Sequence, residues 1–263
     1  MVNGFSVVRV LTRLTLFLLV ILPFAGFSQN PSLKFEHFGT RDGLSQVNIN
    51  CIIQDSRGFM WIGSRNGLNR YDGYKFISFR YDAKNEQTLS NNLITDLAED
   101  HDGNIWISTQ SGLDMYDRAT GKFVRYMHDA KNTNSVSNNI LNRLTIDHNG
   151  KLWIATQNGG LDYFDIKKKT FQHHIHNPAD NRSINDDNVR TVFEDSEHKF
   201  WVGTLSGGLS QYDPASNSFT NFPFIDPSTK KNLAGNVICI IENNSRELWV
   251  GTQEQGLFLF DKI

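Results

Sequence analysis

Trp153-Ile154-Ala155-Thr156, followed by Gly160-Leu161 and then Phe164-Asp165, decides how this chain folds, because it recurs. The chain has five tryptophans, Trp61, Trp106, Trp153, Trp201 and Trp249, spaced 45, 47, 48 and 48 residues apart. Each opens a block of Trp, aliphatic, tiny, hydroxyl: Trp61-Ile62-Gly63-Ser64, Trp106-Ile107-Ser108-Thr109, Trp201-Val202-Gly203-Thr204 and Trp249-Val250-Gly251-Thr252 match the first. A Gly-Leu pair follows in every unit (Gly67, Gly112, Gly160, Gly208, Gly256). An aromatic-Asp pair comes next, from Tyr71-Asp72 to Phe260-Asp261. A period of this length, cut by glycine turns and lacking stretches of helical periodicity, predicts four-stranded propeller blades.

Within the first unit the strands are predicted at 48–54, 59–63, 68–72 and 75–79. Asp55-Ser56-Arg57-Gly58 makes the first turn, and a polar loop over 82–92 leads to the next unit. Blades stack face to face, so inner strands read as apolar runs. The tryptophans are expected to fill the space between blades. The tiny residue two places on should leave room for a neighbouring ring. The fold class is therefore all-β, a propeller of four-stranded blades with five units, either a closed five-blade ring or part of a larger one. Lys34-Phe35-Glu36-His37-Phe38 carries the fourth-strand pattern without its own unit, and the fifth unit stops after its third strand. In a closed ring the first segment would supply the missing outer strand.

Composition narrows the function. Of 263 residues 39% are hydrophobic, 12% aromatic and 21% charged, an ordinary globular balance. Lys plus Arg is 26 and Asp plus Glu 28, so there is no basic excess to hold a nucleic acid. Arg9 and Arg13, the apolar run from Leu14 to Phe24 and the small residues Ala25, Gly26 and Ser28 have the layout of a secretory signal peptide. The run is too short to span a bilayer. The expected domains are a signal peptide over 1–28, cleaved before Gln29, and a propeller over 29–263, acting in the periplasm.

The repeat resembles the two-component regulator propeller repeat. Gly43-Leu44-Ser45, Ile49, Ile52, Asp55, Gly58, Trp61, Ile62 and Gly63 carry the resemblance in the first unit, and Asp147, Gly150, Leu152, Trp153, Ile154 and Thr156 in the third. It covers residues 33–263. It implies the periplasmic sensor region of a hybrid histidine kinase, similar to the glycan-sensing regulators of Bacteroidota, in which propellers precede a membrane helix and kinase modules. Here five units stand without such modules, so the implied partners are an oligosaccharide, a further propeller, and membrane and kinase modules downstream. The larger ring fits this resemblance better than the closed one. A stand-alone scaffold for protein interaction, or a propeller glycan hydrolase or lyase, is the alternative.

No nucleophile elbow, phosphate loop or zinc-protease motif occurs, and no acid pair is marked by its spacing. Catalytic residues, metal sites and cofactors are therefore expected to be none. The Asp-x-x-Gly turns are too short to supply calcium's six to eight oxygens and read as hairpin turns. His173, His174 and His176 form the dense histidine cluster, read as polar residues of an outer strand with no Cys or acid nearby to complete a metal site. Cys51 and Cys239 hold the same repeat position and are expected to be two buried thiols. Ligand binding is expected at the end built from the fourth-to-first loops and second-to-third turns. There repeat symmetry brings Arg65, Asn66, Gln110, Gln157, Asn158, Gln253 and Glu254 together, with amides and a guanidinium suited to sugar hydroxyls.

Overall fold

The computed structural model describes residues 34–225, 233, 235–244 and 246–262. The chain divides into two compact units, residues 1–37 and 38–263. Of the first unit, Lys34–His37 are described and form no regular structure. The signal segment expected over 1–28 lies outside the described residues.

The second unit is all-β. Blade one is β1 (Ile49–Gln54), β2 (Met60–Ser64), β3 (Gly67–Tyr71) and β4 (Phe76–Phe79). Blade two is β5 (Ile94–Glu99), β6 (Ile105–Thr109), β7 (Gly112–Asp117) and β8 (Lys122–Tyr126). Blade three is β9 (Leu141–Ile146), β10 (Leu152–Thr156), β11 (Leu161–Asp165) and β12 (Thr170–His174). Blade four is β13 (Val189–Glu194), β14 (Phe200–Thr204), β15 (Leu209–Asp213) and β16 (Ser218–Phe222). Blade five has three strands, β17 (Val237–Asn244), β18 (Glu247–Thr252) and β19 (Leu257–Asp261). Each blade is an antiparallel meander in chain order. The 3-10 turn Thr40–Asp42 is the helical element among the described residues.

The first turn of each unit rests on one aspartate. Gly58 donates to the Asp55 carbonyl at 2.8 Å with a φ of +88°, a conformation glycine adopts at little cost. The Asp55 carboxylate does two further things. Oδ1 accepts from the backbone N–H of Arg57 and Phe59 at 3.0 and 2.9 Å, and Oδ2 accepts from Trp61 Nε1 at 2.9 Å. The same carboxylate–indole bond recurs as Asp100–Trp106, Asp147–Trp153 and Asp195–Trp201 at 2.9, 3.0 and 2.8 Å. In blade five Asn243 stands in the aspartate's place and its amide donates to Glu247.

With its N–H satisfied, each indole can be buried in the apolar layer facing the next blade. Trp61 sits with Leu89, Ile94, Leu97, Ile105 and Ile107 of the second unit. Trp106 joins Leu141, Leu144, Leu152 and Phe164. Trp153 meets Phe200 and Tyr212 at ring-centroid distances of 4.6 and 5.3 Å, and Trp201 packs with Val237, Ile240 and Leu248. The core is thus divided into four layers, each shared by two consecutive blades.

The tiny position is explained differently from the sequence expectation. A Cβ added to Gly63 would lie 2.6 Å from Ile94 Cγ2 and 2.4 Å from Cys51 Sγ; one added to Gly203 would lie 2.4 Å from Val237 Cγ1. The space is taken by the first aliphatic residue of the next blade's inner strand, not by a ring.

Blades one and five each keep a bare face. Ile49 and Ile52 are 41% and 57% exposed, whereas Ile94 and Leu97 at the same positions of blade two are 0% and 4%. Leu257 is 63% exposed, whereas Leu68, Leu113, Leu161 and Leu209 are 0%. Trp249 is accordingly half-buried, unlike the other four. Among the described residues no buried cluster joins blades five and one. Nor do Lys34–Phe38 form the outer strand that a closed five-blade ring would require of them. Phe38 instead lies beside Tyr71 and Phe76 of blade one, at 5.3 and 5.8 Å. The cysteines are free, but the expectation of two buried thiols needs correction: Cys51 is half-buried and Cys239 is exposed on blade five's uncovered strand. Burial first, then the neighbouring Asp96, pushes the Cys51 thiol up to about 12.

Asp100→Ala leaves the Trp106 N–H and the backbone N–H of Asp102 and Asn104 without their acceptor. At about 1–3 kcal/mol per buried orphaned donor, the expected loss is about 2–4 kcal/mol, read as a lowered urea midpoint.

Candidate functional site

The second-to-third turns are built by the hydroxyl that ends each Trp block. Ser64, Thr109, Thr156, Thr204 and Thr252 donate to the carbonyls of Gly67, Gly112, Gly160, Gly208 and Gly256 at 2.8, 2.8, 2.8, 3.3 and 2.9 Å. The turn glycine then reaches the fourth-to-first loop: Gly67, Gly112 and Gly160 donate to the carbonyls of Asn92, Asn139 and Asp187. Turns and loops therefore form one continuous end of the blades.

In blades one to three a polar residue in the middle of the third strand anchors the loop that leads into its own blade. Asn69 Oδ1 accepts from Ser45 N, Asp114 Oδ2 from Ser90 N and Asp162 Oδ2 from Ser137 N, at 2.9, 2.8 and 2.7 Å. An outer-strand side chain completes the tie, and its identity changes from blade to blade. Ser78 donates to Asn69. Arg125 donates to the carbonyls of Asn85, Thr88 and Leu89, and Asn221 to those of Asn181 and Ser183. In blade three the residue is His173, whose Nδ1 lies 2.7 Å from Asp162 Oδ1 and whose Nε2 lies 2.9 Å from the Thr133 carbonyl.

The seven residues singled out from sequence lie on these turns. Arg65, Gln110, Asn158, Gln253 and Glu254 are exposed; Asn66 and Gln157 are half-buried. Asn158 Oδ1 accepts from Asn188 at 3.3 Å and Gln253 Oε1 from Asn236 at 2.7 Å, so these two are tied to the adjoining loop. A cleft of about 630 Å³ lies at this end between the loop over 176–185, the turn at Ser206-Gly207 and the outer strand of blade four. None of the seven lines it. Its polar walls come from His176, Asp180, Asn181, Arg182 and Asn221, and its apolar floor from Phe219 and Leu233. A second pocket, about 440 Å³, is lined by Asn50, Thr95, Asn142, Arg190 and Ile238, the same repeat position in all five inner strands, together with Ile49 and Arg143.

The histidine cluster separates into three unlike residues. His173 pairs with buried Asp162, an acid that the sequence pattern does not place nearby, and this pairing first of all raises its pKa. His174 is not a surface group. Its ring lies 4.9 Å from Tyr212 and 5.5 Å from Phe219, and burial, then the charge of His173, brings it down to about 4. His176 Nδ1 lies 2.8 Å from the Ile184 carbonyl. The imidazole and carboxylate groups that do converge were missed: His148, Glu194 and His198, at the opposite end of blades three and four. The available signal was that unit four has His198 where units one to three have glycine.

Comparison with known proteins adds likenesses of sequence and of fold. Residues 43–66, 88–111, 134–158 and 183–206 match the two component regulator propeller, each segment running from the loop serine region to the second-to-third turn. Four of the five units therefore match that repeat. A histidine kinase of Formosa agariphila is 38% identical over 63 residues, 24% of this chain and 5% of that protein. The extracellular domain of a hybrid two component system from B. thetaiotaomicron superimposes with a TM-score of 0.66 at 23% identity, over 86% of this chain and 35% of that one. Virginiamycin B lyase from Staphylococcus aureus does so with a TM-score of 0.57 at 14% identity, over 81% and 70%. The two structural likenesses establish the β-propeller fold. The chain spans about a third of the solved two component structure and a twentieth of the kinase. No described helix is long and apolar enough to cross a membrane.

Burial pushes Asp114 up to about 7, against the hydrogen bonds from Ser90, and its Oδ1 has no partner. A carboxyl raised above its unfolded value favours the folded state while protonated, so stability falls as pH climbs from about 4 to about 7. Blade one has Asn69 at this position. Asp114→Asn should therefore keep the Ser90 anchor and remove this contribution, so that the urea midpoint declines less between pH 5 and pH 8 in the variant than in the wild type.

Proposed function

We propose that this chain is the sensor propeller of a two-component signalling protein, exported from the cytoplasm, binding an oligosaccharide and catalysing nothing itself. The observation that carries the reading is the match of four consecutive units to the regulator propeller. The cleft on blades three and four supports the ligand class. It joins amide, imidazole, carboxylate and guanidinium groups to an apolar floor, a combination suited to sugar hydroxyls and the C–H faces between them. The turn residues Arg65, Asn66, Gln110, Gln157, Asn158, Gln253 and Glu254 would then form the outer margin that a longer glycan chain reaches.

Export rests on the Arg9, Arg13 and Leu14–Phe24 pattern, with cleavage before Gln29 and the propeller over 29–263. The bare faces of blades one and five support the larger ring as the native setting, with further blades covering Ile49, Ile52, Leu257 and Leu259. Membrane and kinase modules would take the signal onward.

The test is a panel of oligosaccharides against the purified chain, followed by melting curves and product analysis. At least one should raise the melting temperature without being cleaved. The Arg182 side chain lines the cleft and is 72% exposed. Arg182→Ala should leave the ligand-free melt unchanged and weaken binding roughly tenfold or more, the worth of one hydrogen bond to a charged group. A panel that shifts nothing, or a sugar that is turned over, would overturn the proposal.

A further inference from the structure

The first-to-second turns are linked across blades by a clip. In blade one Ser56 donates through its backbone N–H and its hydroxyl to Glu99 of blade two, at 2.8 and 2.7 Å. Ser196 of blade four makes the same pair of bonds to Glu242 of blade five, both at 2.9 Å. Between blades two and three the clip is lost, because Ile146 stands in the glutamate's place.

Between blades three and four the glutamate is kept and its surroundings are changed. His148 replaces the serine. Its backbone N–H donates to Glu194 Oε2 at 2.9 Å, and its Nδ1 is in close contact with Glu194 Oε1. His198 Nδ1 lies 3.1 Å from that same oxygen. The two imidazole rings are 3.9 Å apart, tilted by 33°. One nitrogen of each histidine and one carboxylate oxygen thus lie within 4.8 Å of one another.

His198 is also conformationally out of place. It has a φ of +62°, in the position where Gly58, Gly103 and Gly150 have φ of +88°, +80° and +75°. A side chain in that region is strained and is retained where something compensates. The hydrogen bonds of an ordinary turn do not require it, since three sister turns are made with glycine.

We propose that His148, Glu194 and His198 bind a zinc ion that clips blade three to blade four. Two imidazole nitrogens and one carboxylate oxygen form a recurrent protein ligand set for Zn²⁺, with water in the fourth position. Bonds of about 2.0–2.1 Å in a tetrahedron set the donors roughly 3.3 Å apart, so the His198–Glu194 spacing already fits and His148 need only draw back slightly. Glu194 is already oriented to ligate, because the His148 N–H occupies Oε2 and leaves Oε1 facing both rings. Asn149 supplies the outer contact. Its amide lies 2.8 Å from His148 Nε2, and with the amide oxygen turned inward it accepts the Nε2 proton and frees the Nδ1 lone pair for the ion.

Two substitutions separate zinc binding from folding, because each restores what the other blades already use. His148→Ser recreates the serine–glutamate clip, and His198→Gly recreates the sister turns. The tag-free chain, stripped with EDTA, is titrated with zinc chloride by calorimetry and melted with and without the metal. The wild type should take up one zinc and melt higher with it. Both variants should show the wild-type circular dichroism, melt without metal at or above the stripped wild type, and bind zinc at least roughly tenfold more weakly. Absence of uptake by the wild type at millimolar zinc, or undiminished uptake in either folded variant, overturns the site.

Discussion

The bond from an aspartate carboxylate to the indole of the tryptophan six residues on is the contact on which the blades depend. An indole in the layer between two sheets contributes a large apolar surface but carries one N–H that has to be satisfied. Asp55, Asp100, Asp147 and Asp195 satisfy it, and the same carboxylate holds the N–H groups of the turn. Turn geometry and interblade packing are thereby one device. The turn sets the carboxylate, the carboxylate sets the ring, and the ring fills the face that the next blade's inner strand covers. In blade five Asn243 stands in the aspartate's place, and Trp249 is half-buried because its face is uncovered among the described residues.

Because each blade touches its neighbours along the chain, stability in this architecture is close to a sum of units and junctions. The junctions are not equivalent. The polar clip at the turn end is serine–glutamate in two of them, missing in one and histidine-rich in another. At the junction of blades four and five Lys262 is added, its side chain 3% exposed and bonded to both Asp195 and Glu242 at 3.0 and 2.8 Å. Burial tends to raise Asp195, but the bonds from Trp201, Lys199 and Lys262 together hold it below the usual carboxylate range. Variation between junctions, on a common apolar layer, is where a repeat protein can place distinct sites.

The opposite end of the blades follows similar logic with a different outcome. Loops and turns are stitched so fully to the third and outer strands that most of their polar groups are committed to the fold. The open cleft lies between the loop over 176–185, the outer strand of blade four to which Asn221 ties it, and the turn at Ser206-Gly207. A propeller can thus keep one scaffold and vary its surface through the side chains of one loop and one outer strand.

The repeat itself was legible in the sequence. Period, strand order, turn positions and the interblade tryptophans all followed from residues that recur in register, and the strand limits of the first unit agree to within about a residue. Hidden from it were the contacts made by positions that vary. Ser78, Arg125, His173 and Asn221 do one job with four chemistries, so no column of the repeat betrays it. His173, His174 and His176 are adjacent in sequence and face three different environments, because alternate strand residues point to opposite faces and the strand then ends. His148 and Glu194 are 46 residues apart and meet because stacking brings one unit's turn against the next unit's inner strand. A period defines what each blade is; only the packing of one blade on another determines which of its exceptions come into contact.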